Sequence, residues 1–512
     1  MKQGRVYLVG AGPGDPGLIT VRGLECVKKA DVLVYDRLSS PRLLAYAKPE
    51  CERIYVGKMP DRHTLKQEEI NQLLVDKALE GHIVTRLKGG DPCIFGRVGE
   101  EAELLVDNGV EFEIVPGITS GIAVPAYAGI PVTHRDYNSS FAIVTGHEDP
   151  DKEESNIDWS KLSTATGTIA FYMGISNLPS IVKNLIAHGR AASTPVALIR
   201  WGTRPEQWTL TGTLATIVEL VEQTGFTSPA IILVGDVVTL REKLNWYEKK
   251  PLFGQRILVT RARSQASELS EMIEELGGEP FEFPTIRMVE PADIAPVEAA
   301  LQALGTFDWV IFTSPNGVRY FMEYMKRFKV DIRAFGNAQI ACVGPKTAEI
   351  LESYGLLVDV LPAQFIAEGL LDAIEDQLKP GQKVLLPRAD IARKMLPQEL
   401  RKRGLDVTEI DTYETQIDAD NAQEVIELLK EQRIQMITFT SSSTVSNFFD
   451  ALVSAGEDVL SLVNGVGIIS IGAMTTQTCQ SLGLEVTGQA EQATLQGLME
   501  AVIGNAQAAS GK

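Results

Sequence analysis

The sequence predicts an α/β protein throughout, and three observations carry that prediction. Apolar, β-rich runs stop one after another at a Gly, Pro or charged residue and alternate with stretches of helical composition. Glycine-rich turns close several of those runs. The second half repeats one strand–turn–helix pattern twice, which implies two similar parallel-sheet domains.

The first run, VYLVGAG (Val6 to Gly12), reads as a strand followed by PGDPG. Gly12, Gly14 and Gly17 have dinucleotide-fingerprint spacing, and Asp36 follows where that motif expects an acid. In that motif the helix opens on the glycines and its N–H groups meet a pyrophosphate. Here Pro13 and Pro16 remove two of those donors, and the helical pattern TVRGLECVKKA starts only near Thr20. The match is a decoy for NAD binding. ADVLVYDRL gives a strand ending at Asp36 and Arg37, and ERIYVGK one ending at Gly57 and Lys58. QEEINQLLVDKALE gives a helix.

The next stretch, RLKGGDPCIFGRVGEEAELL (Arg86 to Leu105), organises this half. A strand breaks at Gly89, Gly90, Asp91 and Pro92 before helix-forming sequence. Two glycines at a strand end let a ligand approach the backbone, and open α/β sheets bind ligands at the carboxyl ends of their strands. FEIVPGITSGIAVPAYAGIPVTHR, TIAFYMG, PVALIRWGT and PAIILVGDVV are read as further β-rich runs. A charged segment with Pro251 and Gly254 (Leu240 to Gln255) then marks a boundary near residue 250.

Composition excludes several classes of function. The net charge is −19, most of it carried after residue 250, and an acidic surface disfavours phosphate-mediated nucleic-acid binding. No apolar run approaches the roughly 18 residues of a membrane span. The start, MKQGRVYLVGAG, has no signal-peptide profile. Five scattered cysteines without CxxC spacing suit a reducing cytoplasm, and five histidines never spaced HxxxH argue against a metal enzyme.

VGAGPGDPGLIT, VYDRL, VGK, KGGDPCIFGRVGEE, VPGITS, AGIPVTHR, YMG and PAIILVG occur in order, and together they resemble uroporphyrinogen-III C-methyltransferase of the tetrapyrrole methylase family over residues 5–247. The resemblance implies domain 1–247 in two α/β lobes, about 1–115 and 116–247, with S-adenosylmethionine between them. By position it implies cofactor contacts at Pro13, Gly89, Gly90, Asp91, Ile94, Thr119, Ser120, Met173, Gly202 and Ala230. Ser120 stands where the family often has alanine. The family's base and acid fall on Asp36 and Lys58. Methyl transfer from a sulfonium needs a nucleophile held in line, here an electron-rich pyrrole carbon, and a carboxylate such as Asp36 to take the proton then lost. Lys58 would pair with a substrate carboxylate or give a proton. A tetrapyrrole with eight carboxylates needs cations, and Arg37 heads the candidates, with Arg22, Arg62, Lys66, Arg86, Lys88, Arg97 and Arg135 near predicted loops. His134 is read as structural. The bland reading of Asp36 is a satisfied loop carboxylate beside Arg37. Methylase relatives are commonly homodimers.

In the second half, VIFTSPNGVRYF (Val310 to Phe321) matches ITFTSSSTVSNFF (Ile437 to Phe449), and ACVGPKTAEILESYGL (Ala341 to Leu356) matches SIGAMTTQTCQSLGL (Ser470 to Leu484). RILVTRA near 256 and VLLPRAD near 384 precede the two blocks in the chain. Ser314, Thr347, Ser441 and Thr475 fall at helix starts, where hydroxyls cap N–H groups and where paired helix N-termini would bind carboxylates. VTRA, FTSPNGV, VGPKTA, VTEIDTYET, FTSSSTV and IGAMTT together resemble uroporphyrinogen-III synthase over about 254–505, after a linker at 248–253. The resemblance implies a first domain of about 254–285 plus 416–505, an inserted second domain of about 290–410, and ring closure of hydroxymethylbilane with inversion of the last pyrrole. Tyr413 takes the family's tyrosine position and would help the hydroxyl leave. Ser314, Thr347, Ser441 and Thr475 would bind substrate carboxylates.

The two implied reactions are consecutive, ending in precorrin-2 after two methylations. Two other readings stay open. The first half methylates another corrinoid precursor or a modified protein histidine, or the second half is a non-catalytic tetrapyrrole-binding module.

Overall fold

The computed structural model describes residues 4–57, 65–147, 156–261, 263–390, 393–417 and 422–510. The chain falls into two compact units, one of residues 1–257, 270–280 and 502–512, the other of residues 258–269 and 281–501. Four five-stranded sheets carry the fold.

The first sheet comprises β1 (Arg5–Gly10), β2 (Val32–Tyr35), β3 (Glu52–Tyr55), β4 (Ile83–Lys88) and β5 (Glu111–Val115), in the order β3-β2-β4-β1-β5. All its pairings are parallel. The alternation of side chains along β1 explains why both faces are covered. Val6 and Leu8 pack with Ile70, Leu74 and Leu105 from α2 (Gln67–Leu79) and α3 (Val98–Asp107). Val9 packs on the other face with Cys26 and Val27 of α1 (Val21–Lys29). As the prolines foretold, α1 begins only after Thr20, whose hydroxyl accepts the Gly23 N–H at 3.0 Å.

The second sheet comprises β6 (Phe141–Thr145), β7 (Thr168–Tyr172), β8 (Pro195–Arg200), β9 (Trp208–Thr213) and β10 (Ala230–Val234), in the order β6-β7-β10-β8-β9. It is mixed, with β10 antiparallel to both β7 and β8. One expectation fails before it. The apolar stretch after β5 is not a continuing β-rich run but a helix, α4 (Ser120–Tyr127), which buries Ala123, Val124 and Pro125. Pro125 lacks an N–H and argues locally against a helix. Burial of the small-residue face outweighs it.

The third sheet contains β11 (Arg256–Val259), β12 (Glu279–Glu282), β18 (Met436–Phe439), β19 (Gly467–Ser470) and β20 (Gly488–Gln489), in the order β12-β11-β18-β19-β20. The fourth contains β13 (Ile286–Val289), β14 (Trp309–Phe312), β15 (Gln339–Cys342), β16 (Lys383–Ala389) and β17 (Asp406–Ile417), in the order β13-β17-β16-β14-β15. The repeat is visible as β14–helix–β15–helix against β18–helix–β19–helix. The third repeated strand is crossed in space, because β11 adjoins β18 and β16 adjoins β14. The fourth sheet is parallel except for β13, which runs antiparallel to β17. Among the described residues no helix is long and apolar enough to cross a membrane, and no group of three or more His, Cys, Asp and Glu is placed to hold a metal.

Candidate functional site

In the first sheet, register sets the carboxyl ends of the strands side by side. Gly10 pairs with Lys88, Val9 with Val115, and Tyr35 with Leu87. The loops that follow therefore meet, and they meet at glycines. Gly12 and Gly90 exchange backbone hydrogen bonds at 3.2 and 2.7 Å. A Cβ on Gly117 would stand 2.3 Å from the Gly90 carbonyl oxygen and 2.7 Å from the Gly10 Cα. Gly90 has φ +71°, a left-handed conformation that favours glycine. Asp91 locks this platform, since Oδ1 accepts the Cys93 N–H at 2.7 Å and Oδ2 the Gly117 N–H at 2.8 Å. A Cβ on Gly89 would meet Leu38, so the loop after β2 closes the side. Pro13, beside the Gly12–Gly90 bridge, and Ile94, in the turn after Asp91, edge the same platform.

The second sheet supplies the facing wall. Phe171 pairs with Ile232 and Arg200 with Ala230, so Met173, Ala230 and Gly202 lie at one edge of neighbouring strands. Met173 has φ +54°, and Trp201 and Thr203 on either side of Gly202 have φ +47° and +68°. Such left-handed non-glycine residues store strain at sites that use it. A Cβ on Gly202 would collide with Val124 of α4, whose first turn carries Thr119 and Ser120. The Thr203 hydroxyl accepts the Asp15 N–H at 3.0 Å, and Arg204 donates to the Leu38 carbonyl at 3.3 Å. The fold thus brings Gly89, Gly90 and Asp91 to the glycine platform with Thr119 and Ser120 beside it, while Met173, Gly202 and Ala230 lie along one edge of the second sheet.

Asp36 stands at the end of β2, three-quarters shielded. Its Oδ1 accepts the Leu38 N–H at 3.0 Å and its Oδ2 the Arg86 guanidinium at 3.1 Å. Its cationic partner is Arg86, not the neighbouring Arg37, which lies over the Trp201 ring at 5.5 Å. Lys58, Arg62 and their loop lie outside the described residues. Arg22 is held by Glu113, Arg97 chelates Glu100, and His134 organises its own turn with Asp136 and Asn138.

Sequence reading missed the group behind Arg86. Glu101 of α3 is fully buried and takes the Lys88 ammonium at 2.5 Å and the Gln67 amide at 3.1 Å. The Arg86 Nε is 3.5 Å from the same oxygen, close enough for an ion pair but not a hydrogen bond, while Glu101 Oε2 has no hydrogen-bond partner among the described residues. Burial pulls the Lys88 ammonium below its ordinary pKa, against the attraction of Glu101. The signal was present: Arg86 and Lys88 share one face of a buried strand, and an acidic pair opens the next helix. Glu101→Ala is expected to cost about 3–5 kcal/mol, because two buried cations lose their shared anion. Thermal melting reads this, and an unchanged transition would show that the network carries no stability.

In the other unit, Ser314 and Ser441 cap helices Pro315–Arg327 and Ser442–Ser454, accepting the Gly317 N–H at 3.1 Å and the Thr444 N–H at 3.2 Å. The capping expectation fails for Thr347 and Thr475. The caps of their helices are Gly344 and Gly472, and both threonines sit buried in the first turn. A glycine cap leaves the helix N–H groups without a side-chain acceptor, so these two turns are the more open to an anion. Ser442 joins the turns after β18 and β19 through the Met474 carbonyl at 3.2 Å and the Thr478 hydroxyl at 2.8 Å. Tyr413, on β17, is 7% exposed; its hydroxyl is 3.3 Å from that of Ser314 and its ring stacks on Tyr320 at 5.3 Å. Burial raises the Tyr413 pKa, so the phenol keeps its proton at neutral pH.

Comparisons with known proteins follow this division. The family model of tetrapyrrole (corrin/porphyrin) methylases matches residues 5–218. That of uroporphyrinogen-III synthase HemD matches residues 267–500. The chain is 39% identical over 503 residues to a protein of Ruminiclostridium josui named porphyrin biosynthesis protein HemD, covering 98% of both chains. It is 58% identical over 235 residues to the uroporphyrinogen-III C-methyltransferase of Priestia megaterium, covering 46% of this chain and 98% of that one. It is 53% identical over 241 residues to the S-adenosyl-L-methionine-dependent uroporphyrinogen III methyltransferase of Methanosarcina barkeri, covering 47% and 94%.

Proposed function

The chain belongs to the tetrapyrrole methylase family and carries a uroporphyrinogen-III synthase domain on the same polypeptide, and on that premise we propose that it closes hydroxymethylbilane to uroporphyrinogen III and methylates this product twice, at C2 and C7, to precorrin-2. It is a bifunctional tetrapyrrole-biosynthesis enzyme, with an S-adenosylmethionine-dependent uroporphyrinogen-III C-methyltransferase before the synthase. The observation that carries the methylase assignment is the backbone platform of Gly10, Gly90 and Gly117 locked by Asp91.

S-Adenosylmethionine, when bound, supplies a methyl group made electrophilic by its sulfonium. The platform fits such a group, because a side chain at Gly90 or Gly117 would fill the space or part the loops. The loops after β1, β4, β5, β7 and β8 would hold it. Asp36 takes the proton lost from the methylated position, with Arg86 fixing the carboxylate from behind and Arg37 available to a substrate carboxylate. Lys58 is assigned the complementary cationic role. In the synthase, the open helix starts at Thr347 and Thr475, with the capped ones at Ser314 and Ser441, bind substrate carboxylates. The protonated Tyr413 hydroxyl helps the hydroxyl group leave. Folding a linear tetrapyrrole so that its ends meet supplies catalysis by proximity. Five free cysteines suit a cytoplasmic enzyme, and a homodimer through the methylase unit is what the family resemblance implies.

The test is a reaction of the purified chain with hydroxymethylbilane, with and without S-adenosylmethionine, read by mass and isomer analysis. Uroporphyrinogen III alone, gaining two methyl masses only with the cofactor, is the expected result. Type I isomer alone, in the absence of cofactor, would remove the synthase assignment.

A further inference from the structure

We propose that Tyr172 is a positioning residue for the cofactor, its phenol oxygen fixing the first turn of α4 so that Thr119 and Ser120 are presented to the ligand. The inference rests on reading the glycine platform as the S-adenosylmethionine site.

Tyr172 is the last residue of β7 and directly precedes the left-handed Met173. Its hydroxyl lies 2.5 Å from the Thr119 hydroxyl and accepts the Gly121 N–H at 2.5 Å. A helix start leaves its first N–H groups without internal partners, and the cap residue commonly satisfies one of them. Thr119, the cap of α4, makes no such bond with its own helix. The phenol of Tyr172 does that work from another strand.

Two further contacts show that the arrangement is specific. A Cβ on Gly121 would stand 2.6 Å from the phenol oxygen, so glycine is required there for the oxygen to reach the backbone. The Tyr172 ring meets Phe95 edge-on at 5.4 Å, in the loop that follows Asp91. One side chain therefore touches the loop after β4 and the start of α4, and by sequence it carries Met173. Gly90 lies beside that helix start, since its Cβ would be 3.7 Å from the Ser120 nitrogen. Removing the oxygen leaves the Gly121 N–H and the Thr119 hydroxyl each short of a partner and frees the turn to shift. Tyr172 reaches the α4 side of the site, not Asp36, so the effect falls on cofactor affinity before chemistry.

The experiment uses the full chain, with calorimetric titration by S-adenosylhomocysteine and steady-state methylation of uroporphyrinogen III. Tyr172→Phe keeps the ring and its contact with Phe95. It is expected to weaken S-adenosylhomocysteine binding about ten-fold and raise KM for S-adenosylmethionine about as much. The kcat should change by less than about three-fold, with KM for uroporphyrinogen III unchanged, as expected when uniform binding alone is lost. Thr119→Val should bind as weakly as Tyr172→Phe, and the double variant hardly worse, because both act through one contact. Parent-like binding by Tyr172→Phe overturns the proposal, as does a joint fall of melting temperature, kcat and affinity for both substrates. Asp91→Ala separates the two levels. If it too leaves S-adenosylhomocysteine binding intact, the site reading fails and the proposal with it; if it alone weakens binding, only the role of Tyr172 is lost.

Discussion

Replacing Gly117 with alanine is expected to lower methyl transfer by at least about a hundred-fold and to leave ring closure untouched. The added Cβ would stand 2.3 Å from the Gly90 carbonyl oxygen, 2.7 Å from the Gly10 Cα and 2.9 Å from the Gly10 carbonyl carbon. All three are backbone atoms, Gly10 held in the ladder of β1 with β4 and Gly90 bridged to Gly12, so none can swing aside as a side chain would. The loops must part instead. Gly90 moves relative to Gly117, and the 2.8 Å bond from the Gly117 N–H to Asp91 is broken or strained. A displacement of about 1 Å at a reacting centre costs on the order of a hundred-fold in rate. Gly109→Ala is the matched control. It has φ +67° but nothing within 4 Å of its added Cβ, so it pays backbone strain of about 1 kcal/mol without disturbing a loop. S-adenosylhomocysteine titration and methyl incorporation measure the effect, and the isomer assay on the same preparation reports whether the rest of the chain is intact. Parent-like methylation by Gly117→Ala would show that the platform is not where the cofactor binds.

The platform was legible in the sequence because close approach of backbones demands glycine, and glycines at strand ends are visible without a structure. The late start of α1 was legible for a similar reason, since Pro13 and Pro16 exclude the earlier start. What stayed hidden depended on distant partners. The stretch containing α4 reads as β-rich, and only burial of Ala123 and Val124 and the grip of Tyr172 on Gly121 make it a helix. The Asp36–Arg86–Glu101–Lys88 network crosses three elements, and the acidic pair at the start of α3 does not by itself say which carboxylate turns inward to the two cations of β4. In the synthase half the repeat was plain, but strand pairing was not. Thr260 donates to the Thr438 carbonyl at 2.8 Å across 178 residues, joining β11 to the later repeat although the earlier one follows it in the chain. Periodicity records which face a residue presents, not which sheet receives it.

Removing the Tyr413 hydroxyl is expected to slow ring closure by about a hundred-fold or more, the usual scale for loss of a positioned proton donor. The leaving hydroxyl needs a proton or a hydrogen bond as its bond to carbon breaks. Tyr413 is suited to give one, because burial raises its pKa and keeps the phenol neutral through the physiological range. Its geometry is held from two sides. The Ser314 hydroxyl is 3.3 Å from its oxygen, and Tyr320 stacks against the ring with planes 23° apart while donating its own hydroxyl to the Met288 carbonyl at 3.1 Å. Tyr413→Phe preserves that stack, so the fold should hold and the loss should appear in turnover. Hydroxymethylbilane also closes without enzyme to the type I isomer, and this supplies an internal clock: the fraction of type III product reports the residual enzymatic rate. Adding Thr347→Ala, at an open helix start, should lower substrate affinity as well. Methylation of supplied uroporphyrinogen III should be unchanged in both variants. If the double variant still gives type III isomer at the parental rate, Tyr413 is a packing residue, and the catalysis of ring closure rests on folding the substrate alone.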